Sequence, residues 1–209
     1  MALPENRLTE VNSLCELGPQ PLIMTGLLRL TLLSHYSNAD NIEHAVFRER
    51  LFKEGDTTGI RIEDASVWTP TRTGKQPAII IRRDDWKFIK KAISDSRSGT
   101  TPEGDAQYTT FWQGSHTLFC AAPSKAEAEI LAAETYRYLQ QFGPILRQQF
   151  GLGQFGVVQV GSLGPLEEDR TLWVVPITIG YGWAETWIIR QSIPPIQRIT
   201  WGDLFSGLV

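Results

Sequence analysis

Residues 115–142, SHTLFCAAPSKAEAEILAAETYRYLQQF, join a strand pattern to a long helix pattern. The first seven residues, 115–121, alternate between two faces, which predicts a half-buried strand. Ser124 opens the helix, and Glu127 three residues later completes the form of a capping box. An apolar stripe at the helical period follows, so we predict a helix over 124–142 that packs on a sheet. At ~1.5 Å per residue this helix would be about 28 Å long.

The polar side and the end of this helix carry further expectations. Glu134 and Arg137 lie opposite the apolar stripe, so we expect them to face water or a polar partner. Gly143-Pro144 is expected to stop or sharply bend the helix, because proline cannot donate the backbone hydrogen bond and clashes with the preceding turn. A short helical piece is predicted after it.

The flanking sequence predicts further helices and strands. Helices are predicted at 6–18, 21–36 and 42–53. Strands are predicted at 60–68, 77–83, 155–163, 172–179 and 183–190. Pro176 is expected to place its strand at an edge or a bulge, and the Ser-, Gly- and Thr-rich segment 94–107 is expected to be a mobile loop.

These elements predict an α+β fold, with a mixed, mostly antiparallel sheet, the long helix on one face, N-terminal helices and a C-terminal tail. We expect an N-terminal helical extension with a first strand at 1–75, a core α+β domain at 76–192 and a docking tail at 193–209. The tail carries Trp201, Leu204 and Phe205, and so apolar a segment is expected to dock on this subunit or on a neighbour.

Composition indicates a soluble protein with one sizeable core. The chain has 209 residues, is 42% hydrophobic and carries a net charge of −3, so no basic balance attracts nucleic acid. Cys15 and Cys120 form no CxxC pair or disulfide framework, which is typical of a reducing compartment. The start has no signal-peptide pattern, and the apolar stretch 21–33 is too short to span a membrane. We therefore expect synthesis in the cytoplasm.

Two patterns that suggest chemistry do not fit their structural context. Residues 151–156, GLGQFG, match GxGxxG, but dinucleotide binding needs a strand before the glycines and a helix after them, and here the predicted order is reversed. His116 and Cys120 lie roughly 13 Å apart on one strand face, too far for a catalytic pair. His35, His44 and His116 show no metal-binding spacing. We predict a glycine-rich corner, and core or surface positions for these side chains.

Acidic residues form two clusters, Glu63-Asp64 and Glu167-Glu168-Asp169. Paired carboxylates can perform acid–base chemistry or bind a hard cation, but an acidic turn between strands is more often simply solvated. The sequence contains neither a P-loop nor a GxSxG motif. It therefore predicts no catalytic residue, no cofactor and no metal, and a protein that is not an enzyme.

The order of elements resembles the tail terminator and related neck or tail-completion proteins of tailed bacteriophages. The resemblance covers about residues 78–190 and rests on a strand, a serine cap and an Ala/Glu-rich helix in 116–142, followed by the strand segments VVQVGSLGPLEED at 157–169 and LWVVPITIGYGW at 172–183. It implies a subunit of a ring, usually a hexamer, in the virion neck. Such a ring caps the tail tube, joins it to the head-side connector and leaves an opening for DNA.

The resemblance also implies which surfaces make contacts. Glu167, Glu168 and Asp169 are candidates for the lumen or for contact with the tail tube, since acidic residues repel phosphate and would let DNA slide. Trp201, Leu204 and Phe205, with the loop 94–107, are candidates for contacts between subunits. The partners expected are further copies of the chain, the tail tube protein and the connector, with DNA only passing through and no membrane.

Two other classes of function stay open. One is a head–tail adaptor or another oligomeric scaffold, and a ring of twelve subunits would favour the adaptor. The other is a metal-assisted hydrolase, which requires the acidic residues of both clusters to converge in one pocket. The residues concerned are Glu63, Asp64, Glu167 and Glu168.

Overall fold

The computed structural model describes residues 21–52, 58–69, 76–89, 97–102, 105–167 and 169–189. The helices are α1 (Pro21–Tyr36), α2 (Ala45–Arg48) and α3 (Lys125–Gln149), with a 3-10 turn at Ala39–Asn41. The strands are β1 (Arg61–Asp64), β2 (Ala78–Ile89), β3 (Arg97–Thr100), β4 (Ala106–Ala122), β5 (Gln154–Val160), β6 (Gly164–Pro165) and β7 (Trp173–Ile189). No helix within these ranges is both long and apolar enough to cross a membrane.

The strands form one mixed sheet in the order β1-β2-β4-β7-β5. β1 pairs in parallel with β2, whereas β2 with β4 and β5 with β7 pair antiparallel. The short strands β3 and β6 pair antiparallel with β4 and β7. This confirms the predicted α+β fold with its mostly antiparallel sheet.

The chain divides into two compact units. The larger contains Gly18–Ile89 and Phe111–Ala184. The smaller is described at 97–102, 105–110 and 185–189, where β3 pairs with the start of β4 and the rings of Tyr108 and Trp187 stack at 5.8 Å.

In the larger unit the main core lies between the sheet and its helices. Alternate residues of the central strands are fully buried on this side, among them Ile79, Ile81, Leu118 and Cys120. They pack against the buried stripe of α3 and against Leu28 and Leu32 of α1. The alternation arises because successive strand residues point to opposite faces. A smaller cluster on the other face contains the side chains that alternate with these: Ala78, Ile80, Ala121, Leu166, Leu172 and Val174.

The long helix begins as predicted but ends later. The Ser124 hydroxyl accepts a hydrogen bond from the Glu127 backbone N–H at 3.2 Å, which confirms the cap. A stop at Gly143-Pro144, one of the two outcomes expected there, is wrong, because α3 continues through Pro144 to Gln149. Leu146 is buried in the main core, and packing of this last part outweighs the hydrogen bond that proline removes.

Of the helix predicted at 42–53, the described residues form only the single turn of α2, and the 3-10 turn at Ala39–Asn41 lies before the predicted start. Side-chain oxygens of Glu134 accept hydrogen bonds from the backbone N–H groups of Glu43 and His44, at 3.0 and 3.4 Å. The backbone just before Ala45 is therefore held from outside, and helix formation starts only there. Asn38 caps the 3-10 turn, where its side chain accepts a hydrogen bond from the backbone N–H of Asp40.

β2, β4 and β7 are longer than predicted, β1 and β5 are shorter, and the central loop is shorter. β2 continues past Asp84-Asp85 across a register shift, and β7 is one strand where two were expected. β7 is internal in the sheet, and Pro176 lies where its partner changes from β5 to β6. Segment 94–107, expected to be a loop, contains β3 and the first residues of β4. The predicted helix at 6–18 and the tail with Trp201, Leu204 and Phe205 lie outside the described residues.

Candidate functional site

A row of stacked aromatic rings lies on the helix-facing side of the sheet, next to the main core. Trp86 of β2, Trp112 of β4 and Trp183 of β7 stack with centroids 4.9–6.4 Å apart and planes within 24° of parallel. Tyr181 stacks on Trp183 at 5.8 Å. One end of the row is exposed: Trp86 is 45% and Phe88 46% accessible. We call Trp86 and Phe88 the aromatic patch.

Gly114 allows this row to form. It sits between Trp112 and His116 on β4, and a Cβ there would lie 2.8 Å from three atoms of the Tyr181 ring. Tyr181 is fully buried, so its ring cannot move aside without disturbing Trp183. The aromatic patch is thus held rigid by its own buried neighbours, which lowers the entropy cost of using it for binding.

A second exposed apolar surface lies on β5, the strand that forms one edge of the sheet. Val158 is 70% accessible on the face away from the helices, and Val160, which pairs with the helix-side Ile177, is 45% accessible; we call this apolar rim of β5 the edge patch. The strand reads QFGVVQV, with no charge and no proline to discourage pairing. Within the described part of the chain, no strand pairs with the outer side of β5. An unguarded apolar edge of this kind is a common site of association.

The glycine-rich corner has the predicted order, with α3 before it and β5 after it. The backbone N–H groups of Gly151 and Leu152 donate to the carbonyls of Gln148 and Arg147, at 3.2 and 2.9 Å. Gly151 has a φ of 64°. Together these features form a Schellman motif, so the first glycine of the pattern ends a helix rather than contacting a phosphate.

The predicted acidic turn is solvent-facing where it is described. Glu167 is exposed beside a groove of about 390 Å³ that Trp68, Arg82 and Phe119 also line. Asp169 accepts hydrogen bonds from the hydroxyl and the backbone N–H of Thr171, and these bonds lower the pKa of its carboxyl group. These bonds therefore favour the ionised form of Asp169. Glu168 lies outside the described residues.

The first acidic cluster, Glu63-Asp64, makes its hydrogen bonds and ion pair with residues close to it in the chain. Glu63 pairs with Arg61 at 2.7 Å, and Asp64 accepts a hydrogen bond from the backbone N–H of Ser66 at 2.7 Å. Residues just after them, Ala65 and Trp68, border the same groove as Glu167, but Glu63 and Asp64 are not among the residues that line it. Of the carboxylates proposed for a hydrolase, Glu63 and Asp64 thus do not line the groove that Glu167 lines.

A different set of ligating side chains is brought together beside α3. One ligating atom each of Glu43, His44 and Glu134 lies within 4.8 Å of the others. Glu134 is 4% exposed, and it meets the polar partner expected for it in the backbone of residues 43 and 44 and in His35. Glu43 and Glu134 of this group line a pocket of about 450 Å³ between α3 and the segment after α1, and His44 adjoins them.

Two histidine nitrogens lie beside Glu134. Nε2 of His44 is buried without a hydrogen-bond partner, and Nε2 of the buried His35 contacts Glu134 Oε1 at 3.3 Å. The His35 ring is clamped by Tyr138, which stacks on it at 4.0 Å. Burial lowers the pKa of His35, and this outweighs the Glu134 carboxylate, which raises it.

His116 and Cys120 occupy core positions, as predicted. The Thr25 hydroxyl donates to the Pro21 carbonyl and therefore accepts from His116 Nε2, at 2.8 Å. Burial lowers the pKa of His116 to about 4 against the opposing effect of Asp84, so the ring is neutral at pH 7. Burial also raises the pKa of the Cys120 thiol to about 12, which makes it a poor nucleophile.

Sequence reasoning missed the aromatic row and the Glu43, His44 and Glu134 group. Trp112 and Trp183 had a visible signal, since both lie at alternate positions of predictable strand segments. Glu134 had none, because the backbone groups that it binds are about 90 residues away in the chain. No protein-family model matches the chain, and no match was found among curated proteins.

Proposed function

We propose that the protein is a structural subunit that assembles into a ring in the neck of a tailed bacteriophage, as a tail terminator does. The ring, a hexamer by the resemblance, caps the tail tube and joins it to the head-side connector, with DNA passing through its opening. The fold supports this proposal, because the mostly antiparallel sheet with a capped helix on one face is the architecture that the resemblance implies.

The pair of apolar patches carries the proposal. β4 and β7 separate β2 from β5, so the aromatic patch and the edge patch lie on strands about 14 Å apart in the sheet. Val158 also faces the side opposite the helices, with Thr178 and Ser115 around it, whereas Trp86 faces the helix side. Two different patches that point in different directions suit a head-to-tail contact between copies, and such contacts form rings when the rotation closes.

The acidic turn fits the same assembly. Glu167 is exposed, and Asp169 is held in its ionised form by Thr171. Fixed negative charge repels the phosphates of DNA, so DNA would pass through an acidic lumen without binding to its wall. In this proposal Glu167, Glu168 and Asp169 line the opening or meet the tail tube.

Two variants and their mixture test the head-to-tail contact. Phe88→Lys places a charge in the aromatic patch and Val158→Lys places one in the edge patch, while Val67→Lys changes an apolar residue outside both whose exposure lies between those of Phe88 and Val158. Light scattering should show an oligomer for the wild type and Val67→Lys, and monomers for the other two. An equimolar mixture of those two should form dimers, because each supplies the patch that the other lacks. Assembly of Val158→Lys to the wild-type size would overturn the proposed contact.

Imaging of the oligomer tests the position in the virion. Negative staining should show six-fold rings with a central hole, and these rings should bind one end of purified tail tubes. Twelve-fold rings that do not bind tail tubes would instead indicate the head–tail adaptor.

A further inference from the structure

The pocket beside α3 has the chemistry of a metal site. Its donors come from two segments: Glu43 and His44 precede α2, and Glu134 lies in the middle of α3. One atom from each lies within 4.8 Å of the others. Carboxylate oxygens and a neutral imidazole together suit divalent transition ions such as Zn²⁺.

A second observation separates this group from a merely acidic cluster. Buried polar atoms in proteins are nearly always hydrogen-bonded, yet Nε2 of His44 is buried and unbonded. His35 is 4% exposed, and its Nε2 contacts Glu134 Oε1 at 3.3 Å from the pocket side. An imidazole nitrogen without a partner beside a buried carboxylate fits a site that a cation completes.

We propose that Glu43, His44 and Glu134 bind a divalent transition-metal ion of the Zn²⁺ class, with the fourth position facing the pocket that His35 lines. Donor atoms around tetrahedral zinc lie about 3.4 Å apart, so the three must draw closer than 4.8 Å. Glu43 can make this movement, because its side chain is 66% exposed and its one ion pair is with Arg137 on the surface. The ion fastens the segment before α2 to the long helix.

Metal titration of the purified full-length chain tests this site. Co²⁺ serves as a spectroscopic probe and Zn²⁺ as its competitor, with affinity measured by calorimetry. The variants are His44→Ala and Glu43→Gln, which alter side chains that make no hydrogen bond to the backbone. Asp40→Asn is the matched control, since Asp40 lines the same pocket but is not in the group.

The wild type and Asp40→Asn should each bind one equivalent of Zn²⁺, and one equivalent of Co²⁺ with the visible absorption of a low-coordinate site. Each of the other variants should bind at least about tenfold more weakly, since even outer partners of a metal site cost that much. Zn²⁺ should also raise the melting temperature of the wild type more than that of His44→Ala. If the wild type does not bind one equivalent of metal, or if all four proteins bind it equally well, the assignment is overturned.

Discussion

At the scale of single residues, Gly114 is the position where the smallest change should have a large effect. In Gly114→Ala the new Cβ would meet the buried Tyr181 ring at 2.8 Å, so we expect a loss of about 1–3 kcal/mol in the free energy of unfolding. Urea denaturation measures it. Gly156→Ala is the matched control, because that strand glycine has no atom within 4 Å of a Cβ. Equal stability of the two variants would contradict the packing described here.

His116 should make stability depend on pH. Its pKa is about 4 in the folded state against 6.5 when unperturbed, so the unfolded chain binds the proton more readily. The part of the free energy of unfolding that depends on His116 is fully present above pH 6.5 and is lost as pH falls towards 4. We expect stability to fall by about 2 kcal/mol between pH 7 and pH 5 for this reason. His116→Gln should remove this part of the slope in denaturation curves at the two pH values. Parallel slopes for wild type and variant would show that His116 does not titrate this way.

At the scale of elements, the two glycines near the end of α3 should respond differently. Gly143 directly precedes Pro144 inside the helix, where a Cβ would meet the proline Cδ, and this clash offsets the gain of about 1 kcal/mol in helix propensity. Gly143→Ala should therefore change stability little. Gly151 has a positive φ in the Schellman motif, so Gly151→Ala should lower stability by about 1–2 kcal/mol. Thermal unfolding of both variants measures the two effects. Stabilisation by Gly151→Ala would contradict the helix end assigned here.

Elements with strong local signals were predictable from the sequence, and those decided by distant contacts were not. The Ser124 cap and the alternation in 115–121 depend on neighbouring residues, and both were predicted correctly. The continuation of α3 through Pro144 depends on burial of Leu146 in the core, and the short α2 depends on Glu134. Local rules cannot include such contacts, because they form only when the chain folds.

At the scale of the whole molecule, the same division separates fold from site. The α+β class follows from the order and periodicity of the elements, whereas the aromatic patch depends on strand pairing that aligns Trp86 with Gly114. The edge patch could be predicted only with the knowledge that β5 is the last strand of the sheet. The positions of both exposed patches therefore depend on the order of strands in the sheet, and the pattern of a single sequence does not specify that order.

Ring formation through the aromatic patch and the edge patch is tested by the mass of the wild-type protein in solution. Light scattering over a wide range of concentration should find a closed oligomer of about six 23.5 kDa subunits that does not grow further. Phe88→Lys should bring the mass down to one subunit. A mass of 23.5 kDa at every concentration for the wild type would contradict the proposed assembly.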